Sequence, residues 1–176
     1  MIATNILKGN CDDSSLNKST LSEAPNEAPI LNNKKITFTP PPGWCLADKK
    51  DLPSRVSFMV VGKGNSTFPP SINMATEPYK GTLKEYLKRV KEINKGNGCE
   101  WKDLGTIKTL MGNGSLSQVD IQSKWGCQRL MHVIILQDDV IYVVTASALK
   151  EEFTNFYKEI FEAFKSLKII EETPSK

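Results

Sequence analysis

Few residues in this chain are of a type and spacing that could carry chemistry. His132 is the sole histidine, so a zinc site of the usual His-rich kind, or a Ser–His or Cys–His nucleophile pair, would have to be built around it. It falls among Met131, Val133 and Ile134, a strand-like setting that suits a structural imidazole better than a catalytic one. Gly62-Lys63-Gly64 and Gly112-Asn113-Gly114 lack the terminal Gly-Lys-Ser/Thr of a phosphate loop and the third glycine of a dinucleotide fingerprint. Asp138-Asp139 pairs two carboxylates, but in a turn context where Asp is favoured for its backbone chemistry. These residues point away from an enzyme and imply no catalytic group, no metal and no cofactor.

Binding chemistry has more candidates. Lys84, Lys88, Lys91 and Lys95 recur at helical spacing, a basic stripe that could meet anionic lipid, acidic protein or nucleic acid. A solvated helix face is the ordinary alternative. No aromatic platform is interleaved for single-stranded nucleic acid, so nucleic acid is not expected. Phe68-Pro69-Pro70 is a second partner-binding candidate, because a Phe on a Gly/Asn-rich loop has little core to fill. Trp44, Trp101 and Trp125 are the candidates to line an apolar pocket between sheet and helices.

Of the four cysteines, Cys99 and Cys127 form a possible disulfide, whereas Cys11 and Cys45 have no evident partner. The pairing rests on a register. Residues equidistant from Asn113 match: Ile107 with Val119, Trp101 with Trp125, Cys99 with Cys127. A hairpin with a three-residue loop gives that pattern. A two-residue Asn-Gly turn would instead oppose Ile107 to Asp120, and a one-residue slip sends the apolar set to the wrong face. The predicted register stands the two tryptophans side by side. It opposes the two cysteines at a separation of about 4.5 Å if the pair is not hydrogen-bonded, within disulfide reach. A bond would fit an exported protein and two free thiols a cytosolic one.

The elements that must hold these residues follow from patterning. Residues 1–34 are rich in Asn, Ser, Asp, Glu and Pro, which predicts a disordered leader or tether. Residues 35–170 form one domain and 171–176 a disordered tail. Ile36-Thr37-Phe38 and Ser71–Thr76 read as strands, as does Arg55–Gly62 with Val56, Phe58 and Val60 on one face. Thr82 and Glu85 fit a capping box, opening a helix that runs to about Lys95 and buries Leu83, Tyr86, Leu87, Val90 and Ile93. A two-residue Asp138-Asp139 turn places Val133 beside Val144 and Ile135 beside Tyr142, in strands apolar on both faces. Ser147 is read as the cap of a final helix bearing Phe153, Phe156, Tyr157, Ile160, Phe161, Phe164 and Leu167. The order predicts an α+β fold, a central antiparallel β-sheet flanked by helices.

Composition agrees. The chain has 176 residues, 39% apolar and 24% charged, an ordinary globular balance. No apolar run approaches the roughly 20 residues of a membrane helix. Net charge is +3, with both ends slightly acidic and +5 on the body, well short of a nucleic-acid footprint. Met1-Ile2-Ala3-Thr4-Asn5 does not read as a signal peptide, and Lys8-Gly9-Asn10 before Cys11 does not suit a lipoprotein cleavage site.

Several of these segments are familiar in their order. Pro41-Pro42-Gly43-Trp44, the strand ending near Gly62, and Ser71-Ile72-Asn73-Met74 before a capped helix are followed by paired long strands. Val143-Val144-Thr145-Ala146-Ser147 then leads into a helix closed by Phe164-Lys165-Ser166-Leu167. Over residues 35–170 the chain resembles the PsbP-like superfamily, which includes the photosystem subunit PsbP, the periplasmic lipoprotein DcrB, mycobacterial secreted lipoproteins and a nuclear release factor for Ran. The resemblance implies an αβα sandwich, no catalytic apparatus, and a role in protein binding or assembly. No acidic stretch matches a Ran-binding surface and residues 1–34 do not match the leader of PsbP, so no family binding residue is carried over. The expectation is a bacterial, exported binding module with an unidentified protein partner, reaching a membrane only by a tether outside this chain. A cytosolic adaptor or chaperone, and a small apolar-ligand carrier, are the alternatives.

Overall fold

The β-branched and aliphatic runs around Val133 and Val143 are too apolar for a surface strand, and they lie at the centre of a sheet covered on both faces. The computed structural model describes residues 34–64 and 68–171. The leader, Cys11 and all but Glu171 of the expected tail lie outside the described residues. Nine strands, numbered in chain order, fall into two sheets among the described residues. The larger has seven antiparallel strands in the order β2-β3-β4-β8-β7-β6-β5. These are β2 (Cys45–Leu46), β3 (Val56–Val61), β4 (Ser71–Pro78), β5 (Glu100–Thr109), β6 (Gly112–Ser123), β7 (Gly126–Gln137) and β8 (Val140–Leu149). The smaller pairs β1 (Lys34–Thr37) with β9 (Lys168–Glu171). Helix α1 (Leu83–Gly96) covers one face of the large sheet, and α2 (Tyr157–Lys165) with β1 covers the other. The expected α+β sandwich is the observed architecture.

The α1 face is built on Ile134, Ile141 and Val143 against Tyr86 and Val90. The α2 face is the larger core, in which Phe153, Ile160, Phe164 and Leu167 pack on Met131, Val133, Val144 and Ala146. Burying each such side chain contributes about 1.5–3 kcal/mol. Strand β8 is buried along its whole length, as strands covered on both faces must be.

Several local expectations are realised. Thr82 caps α1, its hydroxyl accepting from Glu85 N–H while the Glu85 carboxylate accepts from Thr82 N–H. That backbone hydrogen bond, then the Thr82 hydroxyl, holds the Glu85 carboxyl below its ordinary pKa. The β7–β8 turn places Asp138 and Asp139 at φ 52° and 59°, the two left-handed positions of a type I′ hairpin turn. Val133 therefore faces Val144 and Ile135 faces Tyr142, as the pattern predicts.

The hairpin centred on Asn113 is not formed. The chain from Glu100 to Gln137 makes two hairpins, turning at Leu110-Met111 and at Lys124-Trp125. Trp101 faces Val119, not Trp125, and Cys127 faces Gln122, not Cys99. Cys45, Cys99 and Cys127 are all free thiols, so the expected disulfide is corrected along with the register. The reason is packing. A Cβ on Gly114 would lie 2.7 Å from Val133 Cγ1 and 3.0 Å from Ile135 Cγ1, so this glycine serves strand-to-side-chain contact rather than a turn. Both real turns share another device. Thr109 and Ser123 each accept from the N–H two residues on and donate to the C=O three residues on, at Gly112 and Gly126.

Two further corrections concern the C-terminal third. Ser147 caps no helix: it lies in β8, buried, with its hydroxyl 2.9 Å from that of Ser71. The helical segment starts later, with a 3-10 turn at Phe153–Phe156 leading into α2. Lys168 to Glu171 is not the end of a helix and the start of a tail but strand β9, anchored on β1.

Candidate partner-binding groove

The lysine spacing and the capping box together determine which side of α1 is wet. Tyr86 and Val90 are turned inward and buried, so Lys84, Lys88, Lys91 and Lys95 are all exposed. Three of them line a groove of about 580 Å³ between α1 and the β5–β6 end of the sheet. Leu83, Leu87 and Trp101 supply its apolar surface; Asp103, Thr106, Asn113 and Ser115 supply polar groups from the strands. Lys95 lies beyond this lining. Among the described residues none of the three lysines is ion-paired, and Asp103 is the one carboxylate in the groove. Three cations around an apolar floor favour an anionic ligand that also has apolar surface.

Trp101 is where two separate sequence candidates meet. Its ring stacks on His132 at 5.9 Å between centroids, which fixes the indole at the groove floor. His132 is itself buried beneath, its Nδ1 3.0 Å from Thr145 Oγ1. Burial pushes its pKa down to about 4, so the imidazole is neutral at pH 7. Strand β5 is kept from further pairing by a bulge at Asp103–Gly105, where Gly105 takes φ 88° and its N–H donates to Asp103 Oδ1 at 2.8 Å.

The other candidates lie elsewhere. Trp44 is laid on Gly62, where a Cβ would come within 2.6 Å of the indole, and meets Phe156 edge-on; it is a packing residue and lines no part of the groove. Trp125, in the β6–β7 turn, contacts Phe68 at 5.4 Å between centroids and carries Lys124 Nζ 4.5 Å over its ring. Phe68 is thus half-buried on a neighbour, with Pro69 exposed and Pro70 buried. Trp101 lines the groove and Trp125 a separate concavity beside Leu149 and Lys150, and Trp44 lines neither. The periodicity of the lysines was a sufficient signal for the rim of the groove, whereas its strand side, Asp103 to Ser115, carried none.

Among the described residues no helix is long and apolar enough to cross a membrane, and no group of three or more His, Cys, Asp or Glu could hold a metal ion. A seven-stranded antiparallel sheet with a helix on each face defines the class, an α+β sandwich. Within that class the chain has the PsbP/Mog1 fold. It superposes on LpqN, involved in cell envelope biogenesis of Mycobacterium tuberculosis, with a TM-score of 0.58 at 15% identity over 82% of this chain and 87% of that one. The Saccharomyces cerevisiae Ran-binding protein Mog1p matches with a TM-score of 0.52 at 18% identity, over 76% and 89%. The Synechocystis PsbP protein CyanoP matches with a TM-score of 0.50 at 10% identity, over 85% and 99%. No protein-family model and no curated protein matches the chain. At these identities the likeness is one of fold.

Proposed function

We propose that this chain is a non-catalytic binding or assembly module that takes an acidic protein segment into the groove between α1 and the β5–β6 hairpin. The observation that carries this reading is the set of three lysines, Lys84, Lys88 and Lys91, without ion pairs among the described residues, around a floor made by Trp101. An acidic segment with an aromatic or aliphatic residue satisfies both features: carboxylates meet the rim, and the apolar side chain covers the indole. Roles of two proteins that share the fold support a binding function, one being a Ran-binding protein and the other acting in cell envelope biogenesis. The envelope neighbour also supports a bacterial, exported setting, in which residues 1–34 would serve as tether. That setting no longer draws on a disulfide, since Cys99 and Cys127 are free, and the cytosolic adaptor is the competing reading.

The test is binding of a fluorescent Glu-rich peptide carrying one Trp or Phe, measured by anisotropy on the full chain. Reversing Lys84, Lys88 and Lys91 to Glu is expected to abolish binding, and 0.5 M salt to weaken it at least tenfold, since exposed charges are screened at that ionic strength. Equal affinity of the wild type and the triple variant would overturn the assignment.

A further inference from the structure

A second concavity, of about 550 Å³, lies on the opposite face of the large sheet from α1. Its floor is Phe58, Val60, Met74 and Tyr142, side chains that β3, β4 and β8 present on one face in register: Phe58 opposes Met74, and Thr76 opposes Tyr142. Ile36 and Phe38, from β1 and the residue after it, form the facing wall, with the Phe38 and Phe58 rings 5.1 Å apart. At the mouth stand Leu46, 72% exposed, and Lys49. The charge arrangement there is specific. Asp48 caps the 3-10 turn Lys49–Asp51 and is neutralised by Lys50, whose Nζ lies 3.1 Å away. Lys49 is left without an ion pair among the described residues and is the one charged side chain lining the cavity. An apolar cavity of this size with one polar anchor is the usual form of a small-molecule site.

We propose that this cavity binds a monomeric anionic single-chain amphiphile, a fatty-acid-like carboxylate whose chain lies over Met74 and Tyr142 and whose head meets Lys49. The site is independent of the lysine-rimmed groove, so a failure of one assignment leaves the other standing.

Isothermal titration of the full chain with dodecanoate below its micelle concentration tests it. Saturable one-to-one binding is expected, at least fivefold weaker in Lys49→Glu, while uncharged dodecanol binds both proteins alike. Met74→Trp, which fills the floor, is expected to weaken both ligands more than tenfold, and Glu92→Lys, at an exposed position of α1 outside both linings, to leave both affinities unchanged. Should Met74→Trp fail to fold, the methyl resonance of Met74 in wild-type protein replaces it and is expected to shift on addition of dodecanoate. Absence of saturable binding, an unchanged affinity in Lys49→Glu, or a stationary Met74 resonance overturns the proposal. So does association with phosphatidylglycerol vesicles without binding of the monomer, which would make the face a membrane contact.

Discussion

Trp101 lies flat on His132, with ring centroids 5.9 Å apart and planes within 8°, although their strands are separated by β6. The indole is floor to the groove on one side and lid to a buried polar row on the other. Asn73, Thr145, His132 and Ser117 are successive register partners across β4, β8, β7 and β6, and all four are buried. Among the described residues His132 Nε2, Asn73 Oδ1 and Ser117 Oγ have no hydrogen-bond partner.

That row makes stability depend on pH. The imidazole titrates near 6.5 when unfolded and about 4 when folded, because burial disfavours its charged form. Below pH 6.5 the unfolded chain therefore binds a proton that the folded chain refuses. Stability from this site is complete above pH 6.5 and declines as pH falls towards 4, by about 3 kcal/mol in total. Urea unfolding between pH 7.5 and pH 4 should show this loss in the wild type and not in His132→Gln. An equal loss in both proteins would contradict it.

Two glycines should respond in opposite senses. Gly114→Ala drives a methyl into Val133 and Ile135 and should cost about 1–3 kcal/mol by overpacking. Gly96→Ala, in the last turn of α1 with nothing within 4 Å, should stabilise by about 0.5 kcal/mol through helix propensity. Thermal denaturation of the two variants distinguishes a glycine kept for packing from one that is free.

The hydroxyls that close the two turns should be worth about 1 kcal/mol each. Ser123→Ala is expected to cost more than Thr109→Ala, because Ser123 also accepts from the Nε2 of buried Gln128 at 2.8 Å. Thr109→Ser and Ser123→Thr should restore most of the stability. If Ser123→Ala proves the milder variant in chemical denaturation, the Gln128 contact is not contributing.

Asp120 should be the most acid-sensitive surface carboxylate. Arg129 grips it through two hydrogen bonds of 2.9 Å, and Lys150 adds a third contact at 2.9 Å. The Arg129 hydrogen bonds hold its carboxyl below the ordinary value of 3.8. Its contribution is therefore present above that value and lost as pH falls through the lower folded one. Asp120→Asn should cost about 1–2 kcal/mol at pH 7 and progressively less as pH falls below 3.8, read from the difference in unfolding free energy.

Alkylation reads the register directly. With Cys127 opposite Gln122, iodoacetamide should modify both Cys99 and Cys127 in non-reduced protein. A peptide cross-linked between them would restore the single-hairpin register.

What could be read in advance was what depends on near neighbours in the chain. The Thr82–Glu85 box, the inward spacing of Tyr86 and Val90, the outward spacing of the lysines and the type I′ turn at Asp138-Asp139 are each satisfied within a few residues. Where the reading failed, a distant partner outweighed a local preference. Gly112-Asn113-Gly114 looks like a turn until Val133 and Ile135 claim the space over Gly114. The hydroxyl–x–x–glycine pattern at Thr109 and Ser123 was visible in the sequence, but only as a weak cue beside Asn-Gly.

The sequence by itself thus determined the α+β class, the amphipathic face of α1 and the central place of β7 and β8, because side-chain period alone decides which face of an element is buried. Tertiary structure decided the register of β5 on β6 and the second turn at Lys124-Trp125, the extension of β8 through Ser147 to Leu149 opposite Gln128, and the existence of β9, which needs β1 from the other end of the domain. It also decided that Trp101 joins the lysines while Trp44 and Trp125 do not. Strand register and the meeting of distant side chains are set by the packing of whole layers, in which one slipped residue exchanges core for solvent along an entire strand.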